Sequence, residues 1–265
     1  MPNPPVPLVV KIGGSTLGQH DTSLDDLARL HREGEMPVVV HGGGPLISQW
    51  MQRQGLVPRF VRGLRVTDAP SLEIVVAVLT GLVNKQLVAG LNARGGPAVG
   101  ISGIDGALFQ ARQADAELGL VGDIVQVNPA PVTELLGAGY LPVIAPVAMD
   151  LSAKNGAASP FLNVNGDTAA GHLAWALGAQ TLVFLTDVEG VQDGSGRTIA
   201  RLTPRGARQL IAVGVAHSGM VPKLEACIKA LDRVPVAHIA DGRVPQALLH
   251  AVREGRSGTR IVREV

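Results

Sequence analysis

Lys11-Ile12-Gly13-Gly14 follows the apolar run Leu8-Val9-Val10, and His41-Gly42-Gly43-Gly44-Pro45 follows Val38-Val39-Val40. Each run reads as a buried strand ending in a glycine turn, and the first carries a lysine at its tip. Parallel strands of an α/β sheet present such turns along one edge, where ligands bind. Glycines there let backbone N–H groups approach a phosphate or carboxylate with no side chain between. The chemistry suggested is phosphate handling.

Four further segments carry candidate groups. In Gly63-Leu64-Arg65-Val66-Thr67-Asp68, Arg65 suits a two-pronged grip on a carboxylate; the plainer reading has Asp68 capping a helix and Arg65 solvated. Asn163-Val164-Asn165-Gly166-Asp167-Thr168 sets amides and a carboxylate at a helix start, where Asp167 is equally suited to capping. Asp187 follows the run ending at Leu185 and suits either a ribose or adenine contact or a simple turn. Ser218-Gly219-Met220-Val221-Pro222-Lys223 brings a lysine into a helical first turn. A cation there opposes the helix dipole, a cost easier to understand beside an anion.

The elements that must hold these groups alternate. Strands are expected at 8–12, 37–41, 97–101, 141–145, 181–185 and 236–240. Helices are expected from Ser23, with Asp26 in the capping-box position, and from Pro45, with a long one over 70–94 and others at 167–177 and 218–231. The alternation argues for an α/β fold with an open, mostly parallel sheet. Short alternating runs over 108–127 read as a hairpin beside it, and a second hairpin is expected over 149–162, turning near Asn155-Gly156.

Composition narrows the classes. The 265 residues are 46% hydrophobic but only 3% aromatic, with a net charge of +1. Few aromatics and no basic run argue against nucleic-acid binding. The only cysteine, Cys227, excludes an intrachain disulfide and suits a reducing compartment. Met1 to Pro7 lacks the features of a signal peptide, and no run reaches roughly 18 uninterrupted apolar residues. A cytoplasmic setting is expected. No G-x-x-x-x-G-K-[ST] or G-x-G-x-x-G motif occurs, nor H-E-x-x-H, so no protein-held zinc is expected. Trp50 and Trp175 read as packing residues, and His41 as a strand-end histidine bonded to the backbone.

Taken in order, K-I-G-G, V-H-G-G-G-P, G-L-R-V-T-D, N-V-N-G-D-T-A-A, L-T-D-V-E-G-V and G-M-V-P-K-L-E-A resemble the amino acid kinase family. The resemblance runs from Val9 to Val262 and lies with the branch acting on N-acetyl-L-glutamate. It implies a three-layer α/β/α sandwich of two lobes sharing one sheet, 1–175 for acyl amino acid binding and dimerisation and 176–265 for ATP. The implied reaction phosphorylates the side-chain carboxylate with MgATP, giving an acyl phosphate and ADP in the second step of arginine biosynthesis.

By the same resemblance, Lys11 and Lys223 contact the transferring phosphoryl group and Asp167 holds both lysines. Gly13, Gly14, Gly43 and Gly44 bring N–H groups toward phosphate and substrate carboxylate. Arg65 clamps the α-carboxylate, Asn163 contacts the acylated amino group, and Asp187 falls in the nucleotide segment. Mg²⁺ enters with ATP. Arginine-inhibited members carry an N-terminal helix that Pro2, Pro4, Pro5 and Pro7 would not form, so an arginine-insensitive homodimer is expected, in contact near Ile74 to Leu87. Arg62, where Asn or Asp is expected, adds a cation that would suit a more anionic substrate, such as aminoadipate or glutamate on an amino-group carrier protein. A catalytically silent binding protein on this fold is a further alternative, against which stand Lys11, Asp167 and Lys223.

Overall fold

Unbroken apolar runs such as Leu8-Val9-Val10 suit strands covered on both faces, and those runs form the centre of the molecule. The computed structural model describes residues 6–14, 22–153, 160–255 and 258–263. The chain opens with β1 (Leu8–Ile12), α1 (Ser23–Arg32), β2 (Pro37–His41), α2 (Gly44–Arg53) and the small hairpin β3 (Phe60–Val61) and β4 (Leu64–Arg65). One long helix follows, made of α3 (Ala69–Val76), a π-helical stretch (Ala77–Val83) and α4 (Asn84–Asn92). Next come β5 (Ala98–Ser102), β6 (Phe109–Gln113), β7 (Gly122–Val127), α5 (Ala130–Gly137), β8 (Leu141–Ala145), β9 (Val147–Asp150) and β10 (Phe161–Asn163). The remainder is α6 (Gly166–Leu177), β11 (Thr181–Thr186), β12 (Arg201–Leu202), α7 (Pro204–Ala212), α8 (Met220–Ala230), β13 (Val236–Asp241), α9 (Ala247–Leu249) and β14 (Thr259–Val262).

The main sheet runs β12-β14-β13-β11-β1-β2-β8-β5, parallel throughout except between β13 and β14. Alternate residues of each strand face opposite layers. Val9, Val38, Val40 and Phe184 pack with Leu173, Leu224 and Ala230. Leu8, Val10, Val39 and Leu185 pack with Leu27, Val75, Leu91 and Leu248. This is the expected α/β class, with helices on both faces of one sheet.

Two hairpins form the smaller sheet β10-β9-β6-β7. Both match the expectation, although the turn assigned to Asn155-Gly156 and the prolines Pro2, Pro4 and Pro5 lie outside the described residues. The long helix, Ala69–Asn92, has a mean hydropathy of 1.8 over its most apolar window, high enough for a membrane crossing by length and composition alone. Its buried side chains, among them Val75, Leu79 and Leu87, instead pack into the core beside Leu27 and Val143.

Some local expectations need amending. α1 begins at Ser23 as expected, but the N-cap position falls on Thr22, which makes no side-chain cap; its Oγ1 accepts from the Gln246 N–H at 2.8 Å and ties the helix to the C-terminal part of the chain. Three helices absent from the expectation, α5, α7 and α9, are short, and glycine in α5 and α7 further weakens their periodic signal. The α7 start was nonetheless written in Thr203-Pro204: the Thr203 Oγ1 accepts from the Gly206 N–H at 3.1 Å, with proline in the first turn.

Candidate active site

Parallel pairing of β1 with β2 sets Ile12 level with His41, so both glycine turns leave the sheet side by side. They pack closely: a Cβ on Gly14 would lie 3.2 Å from the Gly43 Cα, and one on Gly43 would lie 2.8 Å from the Leu79 Cδ2. A side chain at either place would have to push its neighbours aside. Gly13 departs from expectation, because its N–H donates to the Leu185 carbonyl at 3.2 Å and prolongs the sheet. Among the described residues, no acceptor takes the N–H of Gly14, Gly43 or Gly44.

At the start of α6 the N-cap is Asn165, whose Oδ1 accepts from the N–H groups of Asp167 and Thr168 at 2.8 and 3.1 Å. Asp167 is thereby released from the capping role that sequence alone left open to it. Its side chain, only 6% exposed, instead bridges two lysines. Lys11 Nζ lies 2.7 Å from Oδ1, and Lys223 Nζ donates to Oδ2 at 3.1 Å. Burial works against the charged carboxylate, but the two ammonium groups outweigh it and hold Asp167 below the usual carboxylate range. Lys223 also donates to the Gly219 carbonyl at 3.1 Å. The anion that makes a lysine tolerable in the first turn of α8 is therefore Asp167.

Arg65 is buried, not solvated. Its guanidinium donates to the Gly44 carbonyl at 3.0 Å and the Ser48 Oγ at 2.9 Å, and lies 4.7 Å above the Phe60 ring. No carboxylate pairs with it among the described residues. Burial lowers its pKa from the ordinary arginine value. Asp68 does cap the long helix, accepting from the Ser71 N–H at 2.9 Å. Asn163 donates through Nδ2 to the Thr67 Oγ1 at 3.1 Å.

All ten residues singled out by the sequence (Lys11, Gly13, Gly14, Gly43, Gly44, Arg65, Asn163, Asp167, Asp187 and Lys223) line one cleft of about 300 Å³. A second cleft of about 350 Å³ adjoins it, lined by residues of 186–223 and sharing Thr186, Asp187 and Lys223. The Lys11–Asp167–Lys223 bridge stands beside the junction. Residues that sequence reasoning missed also line the first cleft, notably Phe60, Val121 and Pro146; no motif marks them, because folding alone carries them there.

Arg62 stays out of the cleft lining. Exposed at the hairpin tip with φ 50°, it pairs with Asp115 at 2.5 Å and Glu117 at 3.6 Å. Its charge is thus met by two acids away from the pocket, contrary to the extra cation expected beside the substrate. Among the described residues, no group of three or more His, Cys, Asp or Glu is placed to hold a metal ion.

Two buried lysines on one carboxylate, open backbone N–H groups and a lone guanidinium form a site for bringing anions together. Its relatives carry out such chemistry. An acetylglutamate kinase from Dehalococcoides mccartyi is 43% identical over 96% of this chain and 94% of its own length. One from a Synechococcus sp. is 48% identical over 91% of this chain and 82% of its own. The crystal structure of smu.665 from Streptococcus mutans superposes with a TM-score of 0.82 at 26% identity, covering 97% of this chain and 98% of that one. The sequence model of the amino acid kinase family matches residues 7–241, and the chain belongs to that family.

Proposed function

We propose that the chain phosphorylates the side-chain carboxylate of N-acetyl-L-glutamate with MgATP, giving N-acetyl-L-glutamyl 5-phosphate and ADP in arginine biosynthesis. The observation that carries the reading is the Lys11–Asp167–Lys223 bridge beside the junction of two clefts, with the Arg65 guanidinium, which meets no carboxylate among the described residues, in one of them. The acyl substrate occupies the first cleft, its α-carboxylate on Arg65 and its amide near Asn163. ATP occupies the second cleft, with Val188, Val191 and Met220 offering apolar surface to the base and Asp187 beside the sugar and phosphates. The segments 1–175 and 176–265 thus divide the two substrates between them, on one shared sheet.

A glutamate side-chain carboxylate titrates near about 4.3 and is ionised at neutral pH, so no general base is required. Its oxygen attacks the γ-phosphorus in line, the new C–O–P linkage forms, and the β–γ bridging oxygen leaves on ADP with its electron pair. The obstacle is repulsion between anions. Lys11 and Lys223 meet the charge on the transferring phosphoryl, Asp167 fixes their separation, and the Gly14, Gly43 and Gly44 N–H groups add neutral donors. Mg²⁺ comes with the nucleotide, held mainly by phosphate oxygens and water, and supplies further positive charge.

The setting is cytoplasmic, and the working unit is a homodimer. The support for a dimer is the outer face of the long helix, where Ile74, Ala77, Val78, Gly81 and Leu82 form an apolar groove with Trp50. Incubation with MgATP and hydroxylamine tests the activity. Hydroxamate formed from N-acetylglutamate, in preference to glutamate and N-acetyl-aminoadipate, is the expected result. Absence of product from every free substrate refutes it and directs attention to a carrier-linked substrate.

A further inference from the structure

His41 and Asn84 belong to no part of the mechanism above, yet both are buried, at 0% and 1% exposure, directly behind the glycine turn. The His41 Nδ1 lies 3.1 Å from the Gly42 carbonyl oxygen, which can only accept. The His41 Nε2 lies 3.2 Å from the Asn84 Nδ2, which can only donate. The two partners together dictate the neutral ring with its proton on Nδ1. Asn84 cannot turn its amide over, because the same Nδ2 donates to the Val143 carbonyl at 2.9 Å and Oδ1 accepts from Lys85 at 3.1 Å.

The bond to Gly42 matters through the next nitrogen. The Gly42 carbonyl and the Gly43 N–H belong to one planar trans peptide, so they point in opposite directions. Holding that carbonyl against His41 aims the Gly43 N–H away from the ring, toward the side lined by Gly14. A Cβ on Gly14 would lie 3.3 Å from the Gly43 nitrogen. A glycine peptide would otherwise turn easily, since no Cβ resists the flip. The Asn84 side chain is brought to the ring by the long helix, whose π stretch ends at Val83 and also packs Leu79 and Val83 against Gly43.

We infer that His41, locked by Asn84 as the Nδ1–H tautomer, is a positioning residue that aims the Gly43 N–H at the reacting anions. The inference rests on the phosphoryl-transfer reading for its consequence in rate, though not for the ring's protonation.

Two substitutions separate aiming from filling space. In His41→Asn, the amide nitrogen takes the place of Nδ1 and keeps a donor for Gly42. In His41→Gln, the polar group moves out to the Nε2 position, which preserves the Asn84 contact and more of the volume but leaves the Gly42 carbonyl without its donor. The expected result is that His41→Asn keeps kcat within about threefold of the parent while His41→Gln loses about 10- to 100-fold, with KM for both substrates moving less than kcat. A residue that merely filled the core would rank them the other way, and equal or inverted kcat values at matched folded fractions overturn the proposal. Two-bond ¹H–¹⁵N correlation of the histidine rings, with His41 assigned by its loss in His41→Asn, reads the tautomer without any turnover. Neutral Nδ1–H at pH 7 is expected, and the Nε2–H form or an imidazolium overturns the inference. Parent protein that forms no acyl phosphate but shows the Nδ1–H ring defeats the functional reading and not the positioning.

Discussion

Replacing Asp167 by asparagine keeps the shape of the side chain and removes the negative charge between two ammonium groups. In the parent, Lys11 and Lys223 approach its two oxygens to 2.7 and 3.1 Å, with all three side chains largely buried. Removing one partner from a buried ionic cluster costs on the order of 3–5 kcal/mol. Two ammoniums left roughly 6 Å apart also repel by about 3 kcal/mol at an effective dielectric near 20, and much of that is relieved as the lysines swing apart. At roughly 2–4 °C per kcal/mol for a chain of this size, the melting temperature of Asp167→Asn falls by about 6–20 °C. The same movement takes both cations off the reaction line, so kcat falls by at least about 10².

Two further signs belong to this charge alone. Asp167 is held below its ordinary value of 3.8, so its stabilisation is fully present above that value and is lost as pH falls through the lower folded value. The acid limb of the parent's melting curve, below about pH 4, is therefore shallower in Asp167→Asn. MgATP brings back a negative charge between the lysines and should raise the melting temperature of the variant more than that of the parent. Differential scanning fluorimetry against pH and nucleotide, with kcat from the hydroxamate assay, tests all of this. A variant that melts within about 1 °C of the parent and keeps kcat within about threefold would refute the bridge as the centre of the site.

Lys11→Ala and Lys223→Ala should each lower kcat by about 10²- to 10³-fold in the coupled ADP assay, and parent-like turnover in either removes that lysine from the mechanism. Arg65→Lys keeps a charge but loses the planar fork held by Gly44 and Ser48; the KM for N-acetylglutamate should rise about tenfold or more while the KM for ATP stays put. Gly43→Ala forces a Cβ to within 2.8 Å of Leu79, so it should lower both stability and kcat, measured by melting and turnover. Arg62→Asn suits the left-handed conformation at the hairpin tip better than arginine does and removes only exposed ion pairs, worth about 0–1 kcal/mol. Its melting temperature and KM should stay close to parental, and a large change in substrate preference would return Arg62 to the pocket.

The candidate site was legible because its chemistry is concentrated at strand ends. Lys11, Gly14, Gly43 and Asp187 each sit just past, or at the tip of, an apolar run, and parallel pairing necessarily brings such positions to one sheet edge. The departures arise where a backbone group has a competing partner. Gly13 looks equivalent to Gly14 in sequence, but one position earlier its N–H still belongs to the ladder with β11. Asn165 and Asp167 both suit a helix cap, and only the observed turn awards the cap to Asn165. Arg62 reads as a cation beside the pocket because Asp115 and Glu117 are distant in sequence.

The buried strands, most of their helical crossovers and the glycine turns were readable from the residues alone, because these depend on local periodicity and on backbone freedom that a few residues encode. Which charges meet was settled by the fold. Lys11, Asp167 and Lys223 come from separate elements, and their mutual stabilisation exists only once burial has removed the water that would otherwise screen each of them. The same holds for His41, whose tautomer is chosen by an amide 43 residues away on a helix packed against its strand.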